Sequence, residues 1–211
     1  AAAAGGAGHP ARVLLRLVAA YPQRVRCVDL PLLRVSTEHA APRLGMLVLG
    51  GGVVAAVHDC RAFRDRARLP VLRGGLGTLA WLAGNALRGD VLRTQPGTLT
   101  VDGGAVQHGP WLAVLATTLP RLAAGIRPWW AGAGPLHLTT LHAPARGLLR
   151  HLPGVLRGRP GARATPAAGY ASCSPRAVRL ELTGPWQLDG EDYPPATLTI
   201  SPGPVLRAVC A

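Results

Sequence analysis

Lysine is absent from this 211-residue chain, so all 23 of its basic residues are arginine. Phenylalanine and methionine occur once each, tyrosine three times, and acidic residues number only 10. Alanine, glycine, proline, leucine and arginine crowd the sequence instead. That set is what a GC-rich coding sequence favours, so part of the net charge of +13 reads as genomic habit. Other scarcities exclude whole classes. Cys27, Cys60, Cys173 and Cys210 form no CxxC pair and stand at no metal-ligand spacing with a histidine, which excludes zinc-finger patterns. Four reduced, mostly buried thiols in a reducing compartment are expected. The longest apolar stretch, Leu44 to Val57, is broken by glycines and falls short of the roughly 18 residues a bilayer span needs. The opening Ala-Gly run lacks the basic and apolar regions of a signal peptide. A cytoplasmic protein is expected, with room to touch a membrane from that side.

What is present fits a folded protein. Apolar residues make up 48% and charged residues 16%, which excludes extensive disorder. A chain of this length buries roughly 70% of its unfolded surface, enough for a core of its own. The positive charge favours anionic partners. Yet the arginines stand singly (Arg61, Arg64, Arg66, Arg68, Arg73) and are not interleaved with stacking aromatics, so no nucleic-acid partner is expected.

Helical periodicity covers Ala11 to Ala20, Val53 to Ala67, Leu76 to Leu87 and Ala145 to Arg157. Strands are predicted at Arg24 to Ser36 (one or two, broken by Pro31), Leu44 to Leu49, Leu99 to Asp102, Trp111 to Thr117 and Leu136 to His142. The last forty residues add Ala177 to Thr183, Trp186 to Leu188, Thr197 to Ser201 and Val205 to Val209. Many short strands with regular turn signals indicate a mainly β (α+β) fold, a sandwich-like or barrel-like sheet with two or three inserted helices.

Two glycine-rich turns invite a nucleotide reading. Leu49-Gly50-Gly51-Gly52-Val53 passes from strand to helix, a geometry that can point backbone N–H groups at an anion, with a tight packed turn as the plainer alternative. Gly50 and Gly52 are the weak candidates for nucleotide contact. Arg73 to Thr78 (RGGLGT) reads as a helix entry. His137 and His142 are five apart on a predicted strand, hence on opposite faces, and cannot share a metal. Trp129 and Trp130 are expected to find a core, with an interfacial anchor beside Arg127 as the alternative. The most specific segment is Gly184 to Pro194 (GPWQLDGEDYP), where Asp189, Glu191 and Asp192 gather three of the ten acidic residues around an Asp-Gly hairpin signal. A carboxylate on such a turn can accept a proton from a substrate hydroxyl.

The order VDL (Val28 to Leu30), strand–glycines–helix (Leu49 to Val57), WQLDGE and a terminal SPGPVLRAV resembles the diacylglycerol kinase/sphingosine kinase-like lipid kinases, in a bacterial branch. The resemblance covers about residues 10 to 211 and matches the carboxy-terminal β-sandwich half of that family. It implies residues 1–23 as the end of an ATP-binding domain or a linker helix, and 24–211 as the sandwich. It further implies γ-phosphoryl transfer from ATP, with Mg²⁺, to a lipid hydroxyl at an anionic membrane surface, by a cytoplasmic protein peripheral on the inner membrane face. Glu191 stands where the family has its general base, with Asp189 and Gly190 shaping the turn. Two family positions differ: Val54 replaces an Asp of the first glycine-rich stretch, and Ala133, before Gly134, replaces an Asp of a structural Mg²⁺ site. No GGDGT nucleotide loop occurs in the chain, so it is expected to be inactive alone. A non-catalytic lipid-binding module is the alternative.

Overall fold

The computed structural model describes residues 18–19, 26–38, 40–66, 93–122 and 125–210. The helix expected over Leu76 to Leu87, most of that over Ala11 to Ala20, and the RGGLGT turn lie outside them, as does nearly all of the segment 1–23.

The fold is mainly β: among the described residues, eleven strands join in one curled, half-barrel sheet. Strand β1 (Arg26–Thr37) is unbroken, and the chain returns through β2 (Ala40–Gly45) and β3 (Leu47–Gly50). Helix α1 (Val53–Arg66) follows, and then β4 (Gln95–Val101), β5 (Gln107–Thr117) and β6 (His137–His142). Helix α2 (Leu148–Leu156) leads into β7 (Tyr170–Cys173), β8 (Val178–Leu182), β9 (Trp186–Leu188), β10 (Glu191–Tyr193) and β11 (Thr197–Cys210). The lateral order is β10-β9-β3-β5-β4-β8-β11-β1-β2, with β6 and β7 branching from β5. Every pairing is antiparallel.

Alternation builds the core. On β8, Val178, Leu180 and Leu182 point inward while Arg179 and Glu181 face water. They meet Leu33 and Val35 of β1, Trp111 and Val114 of β5, and Leu198 and Ile200 of β11 inside the curl. A second cluster lies under α2, where Leu112, Leu141 and Tyr170 pack against Val155, with Leu148 and Trp130 at its margin. Trp129 is fully buried and stacks on His137, with ring centroids 4.7 Å apart.

Several boundaries differ from the sequence reading. Proline breaks neither long strand: β1 absorbs Pro31 and β11 absorbs Pro202 and Pro204 at one shared register shift between the two strands. A bend at Met46 divides the segment predicted as one strand over Leu44 to Leu49. Helix α2 starts three residues late, because Ala145 and Gly147 adopt left-handed backbone that no helix continues. The cysteines are less buried than expected: Cys27 is exposed, and Cys60 and Cys173 are half-buried. Cys27 sits on the outer part of β1, where β11 is the paired neighbour and β2 does not reach. Among the described residues, no helix is long and apolar enough to cross a membrane.

Candidate active site

The acidic segment forms the hairpin β9–β10 at one end of the sheet. Leu188 pairs with Glu191 across a two-residue loop, Asp189-Gly190. Both loop residues have positive φ, 52° and 91°, as a type I′ turn requires. Asp tolerates that conformation better than most residues, and Gly adopts it without steric cost.

The three carboxylates take three different tasks. Asp189 turns back toward the bend between β2 and β3. Its Oδ1 accepts the Met46 and Leu47 N–H groups at 2.9 and 2.8 Å, while its own N–H donates to the Leu47 carbonyl. The turn is therefore tied to the neighbouring strand by main-chain and side-chain bonds at one residue. Glu191 and Tyr193 share a face of β10, being two apart, and the Tyr193 hydroxyl donates to Glu191 Oε2 at 2.9 Å. That carboxylate holds the tyrosine proton and pushes the Tyr193 pKa up. The Tyr193 ring is layered between Trp186, stacked at 4.6 Å, and the Arg43 guanidinium, 4.7 Å from the ring centroid. Glu191 thus stands exposed on the surface but beside a fixed aromatic stack.

Asp192 points to the other face. Its Oδ1 accepts from Gln187 Nε2 at 2.7 Å and from His58 Nε2 at 2.8 Å. These two bonds, Gln187's first, lower the Asp192 pKa. His58 and Arg61 lie one turn apart on α1, so both reach the hairpin, Arg61 donating to the Gly190 carbonyl at 3.3 Å. Helix α1 therefore clasps the turn from one side and β3 from the other. Gln187 is fully buried, and its Oε1, like the Trp186 indole N–H, is buried without a hydrogen-bond partner among the described residues. Local sequence offers little sign of Arg43, His58 or Arg61 in this cluster, because each lies well over a hundred residues from the turn; their only trace is the i, i+3 spacing of His58 and Arg61 on α1.

The glycines after β3 have packing tasks. Gly50 and Gly52 are buried, and the Gly52 N–H donates to the Trp111 carbonyl at 3.1 Å. A Cβ on Gly52 would run into the Arg93 carbonyl, and one on Gly50 into the Leu182 side chain. Val54 is buried, and Ala133 is exposed in the turn that precedes β6. His137 and His142 stay apart, each packed on a tryptophan: His137 on Trp129 and His142 edge-on to Trp111. Among the described residues, no three His, Cys, Asp or Glu side chains gather as a metal-ligand set.

Fold and turn together define a curled, mainly β domain with an acidic hairpin clasped by a helix at its edge. No family model matches the chain, and neither does any curated protein sequence. Among solved structures it is similar to a Bacillus anthracis (strain Sterne) protein assigned as a diacylglycerol kinase. The TM-score is 0.50 at 12% identity, over 86% of this chain and 54% of that one. A diacylglycerol kinase of the same strain gives a TM-score of 0.45 at 9% identity, over 92% of this chain and 54% of that one. Yeast NADH kinase complexed with NADH gives 0.43 at 10%, over 95% and 48%. The chain spans about half the length of these structures, and the first likeness is one of fold.

Proposed function

We propose that this chain is the acceptor side of an ATP-dependent kinase that phosphorylates a lipid hydroxyl, with Glu191 as its general base. The observation that carries the reading is the placement of that carboxylate: open to solvent at the sheet edge, on a hairpin anchored at Asp189, Gly190 and Asp192. An exposed carboxylate on a rigid turn is suited to take a hydroxyl proton as the oxygen attacks phosphorus. The Tyr193 hydroxyl orients the carboxylate, and the Trp186–Tyr193–Arg43 stack keeps Tyr193 in place. The fold shared with a protein assigned as a diacylglycerol kinase supports the choice of a lipid hydroxyl, and the motif resemblance points the same way.

Bound ATP would supply the phosphoryl group, and Mg²⁺ would neutralise its charge. The described residues do not fit either: the glycines at 50–52 are buried and no metal-ligand set is assembled. The proposal therefore leaves both to another part of the enzyme. The test is ATP-dependent labelling of diacylglycerol and of a sphingoid base by the whole protein that contains this chain. Glu191→Gln is expected to lower turnover by roughly a hundred-fold or more, in the range positioned bases supply, with unchanged circular dichroism. Near-normal turnover in that variant would sink the assignment. The buried valine at Val54, which puts an apolar side chain in place of the family carboxylate, favours the second reading, a non-catalytic lipid-binding module. Lipid binding with no phosphate transfer by the whole protein would decide for it.

A further inference from the structure

Between Asp102 and Glu181 the sequence contains nine arginines and no acidic residue. Helix α2 lies in the middle of this span. Its inner face is occupied: Val155 is buried and Leu148 packs beside it against the second core cluster. A surface helix of this kind ordinarily turns a polar face outward. Here Leu149 and Leu156, seven apart and so on one side of the helix, remain 48% and 37% exposed, with half-buried Leu152 between them. Exposed Arg150 and Arg157 adjoin the two leucines in sequence. Two further exposed arginines are held at the carboxy-terminal turn by main-chain bonds, Arg127 N–H to the Leu156 carbonyl and Arg159 N–H to the Gly154 carbonyl, both 2.9 Å.

We propose that this outer face of α2, where Leu149 and Leu156 are flanked by Arg150 and Arg157 with Arg127 and Arg159 at the carboxy-terminal turn, is the surface by which the protein rests on an anionic lipid bilayer. Charge complementarity selects the occupant. A second copy docking through the same face would bring like positive charges together without a counter-charge, since the span has no carboxylate to offer. A nucleic acid would satisfy the arginines but leave the leucines in water, for a phosphate backbone has no apolar layer to receive them. A bilayer meets both needs: anionic headgroups for the guanidinium groups and acyl chains for the leucine tips. The inference deepens the lipid reading by naming the contact surface, but it does not need Glu191 to be a base, so the two can fail separately.

Vesicle co-sedimentation of the full chain tests it, with phosphatidylcholine alone against phosphatidylcholine mixed with phosphatidylglycerol. Binding to the mixed vesicles and little to the neutral ones is expected. Arg150→Ala with Arg157→Ala is expected to weaken it by about five-fold per arginine. The control pair Arg34→Ala with Arg93→Ala removes the same charge elsewhere and is expected to have a much smaller effect. Leu149→Ser with Leu156→Ser is expected to weaken binding on the order of ten-fold, and phenylalanine at both positions to preserve it, which separates lost insertion from a damaged fold. Equal losses from the two arginine pairs, or wild-type binding by the serine pair, would overturn the proposal. So would capture of single-stranded RNA that depends on Arg150 and Arg157 but not on the leucines, or a dimer in solution that the serine pair dissociates.

Discussion

Asp189 shows how much of this site hangs on one side chain. Its carboxylate receives two backbone N–H groups from the β2–β3 bend, and its backbone holds a left-handed conformation that an alanine resists. Hydrogen bonds to a charged acceptor contribute more than neutral ones, and left-handed backbone costs a non-glycine residue about 1–2 kcal/mol. Asp189→Ala is therefore expected to lower stability by about 2–3 kcal/mol in urea unfolding, and Asp189→Asn by about half as much, since Asn accepts with one oxygen and tolerates the turn. Equal stability of all three proteins would show that Asp189 does not anchor the turn. At this scale the sequence is partly legible. Asp-Gly announces a two-residue hairpin, and the crowding of three carboxylates marks the place. Their division of labour is only partly local: Glu191 finds Tyr193 and Asp192 finds Gln187 nearby in sequence, but Asp189 faces Met46 and Asp192 also faces His58, both far away along the chain.

Among the elements, those with an alternating pattern are readable and those at the edges are not. Trp186 to Leu188 matches its predicted bounds, and β8 falls within Ala177 to Thr183. The strands to which the sequence pattern assigns no bounds of their own, β2, β7 and β10, are the open ends of the sheet and of its branch. Edge strands bury little, so β2 reads Ala-Ala-Pro-Arg-Leu-Gly with five of six residues exposed, and no hydrophobic period betrays it. The prolines of β1 and β11 mislead for a related reason, because a shared bulge admits them without ending the ribbon. The junction of β3 and α1 is the tightest of these contacts between elements. Gly52 abuts the Arg93 backbone closely enough that a methyl group has no room, and the obstacle is a carbonyl rather than a movable side chain. Gly52→Ala is expected to displace α1 from the start of β4 at a cost of about 3 kcal/mol or more. His58 and Arg61 would shift with the helix, so the Asp192 carboxyl and the Gly190 carbonyl would lose their partners. A thermal midpoint equal to wild type would show that the junction yields.

At the scale of the whole molecule, pH tests how these attachments sum. Among the described residues, two groups have pKa values below their ordinary range: His137, through burial first and then the Arg127 charge, and Asp192, through its bonds from Gln187 and His58. For both, the unfolded chain takes up a proton at a higher pH than the folded one, so both add stability that acid removes. His137 contributes fully above about pH 6.5, and its share is lost as pH falls from there through its folded pKa. Asp192 contributes above about pH 4, and its share is lost as pH falls through its lower folded value. Solvent reaches both groups, so each step is at most about 1 kcal/mol. Urea midpoints measured from pH 8 down to about pH 3 should therefore descend in two stages, against a background of rising charge as the seven histidines add to +13. His137→Phe, which preserves an aromatic layer against Trp129 and loses the Ser174 bond, should abolish the upper stage and leave the lower one. Asp192→Asn should do the reverse. A profile with neither stage, or one that both variants leave unchanged, would show that the histidine under Trp129 and the clasp at Asp192 do not carry the acid sensitivity of the fold.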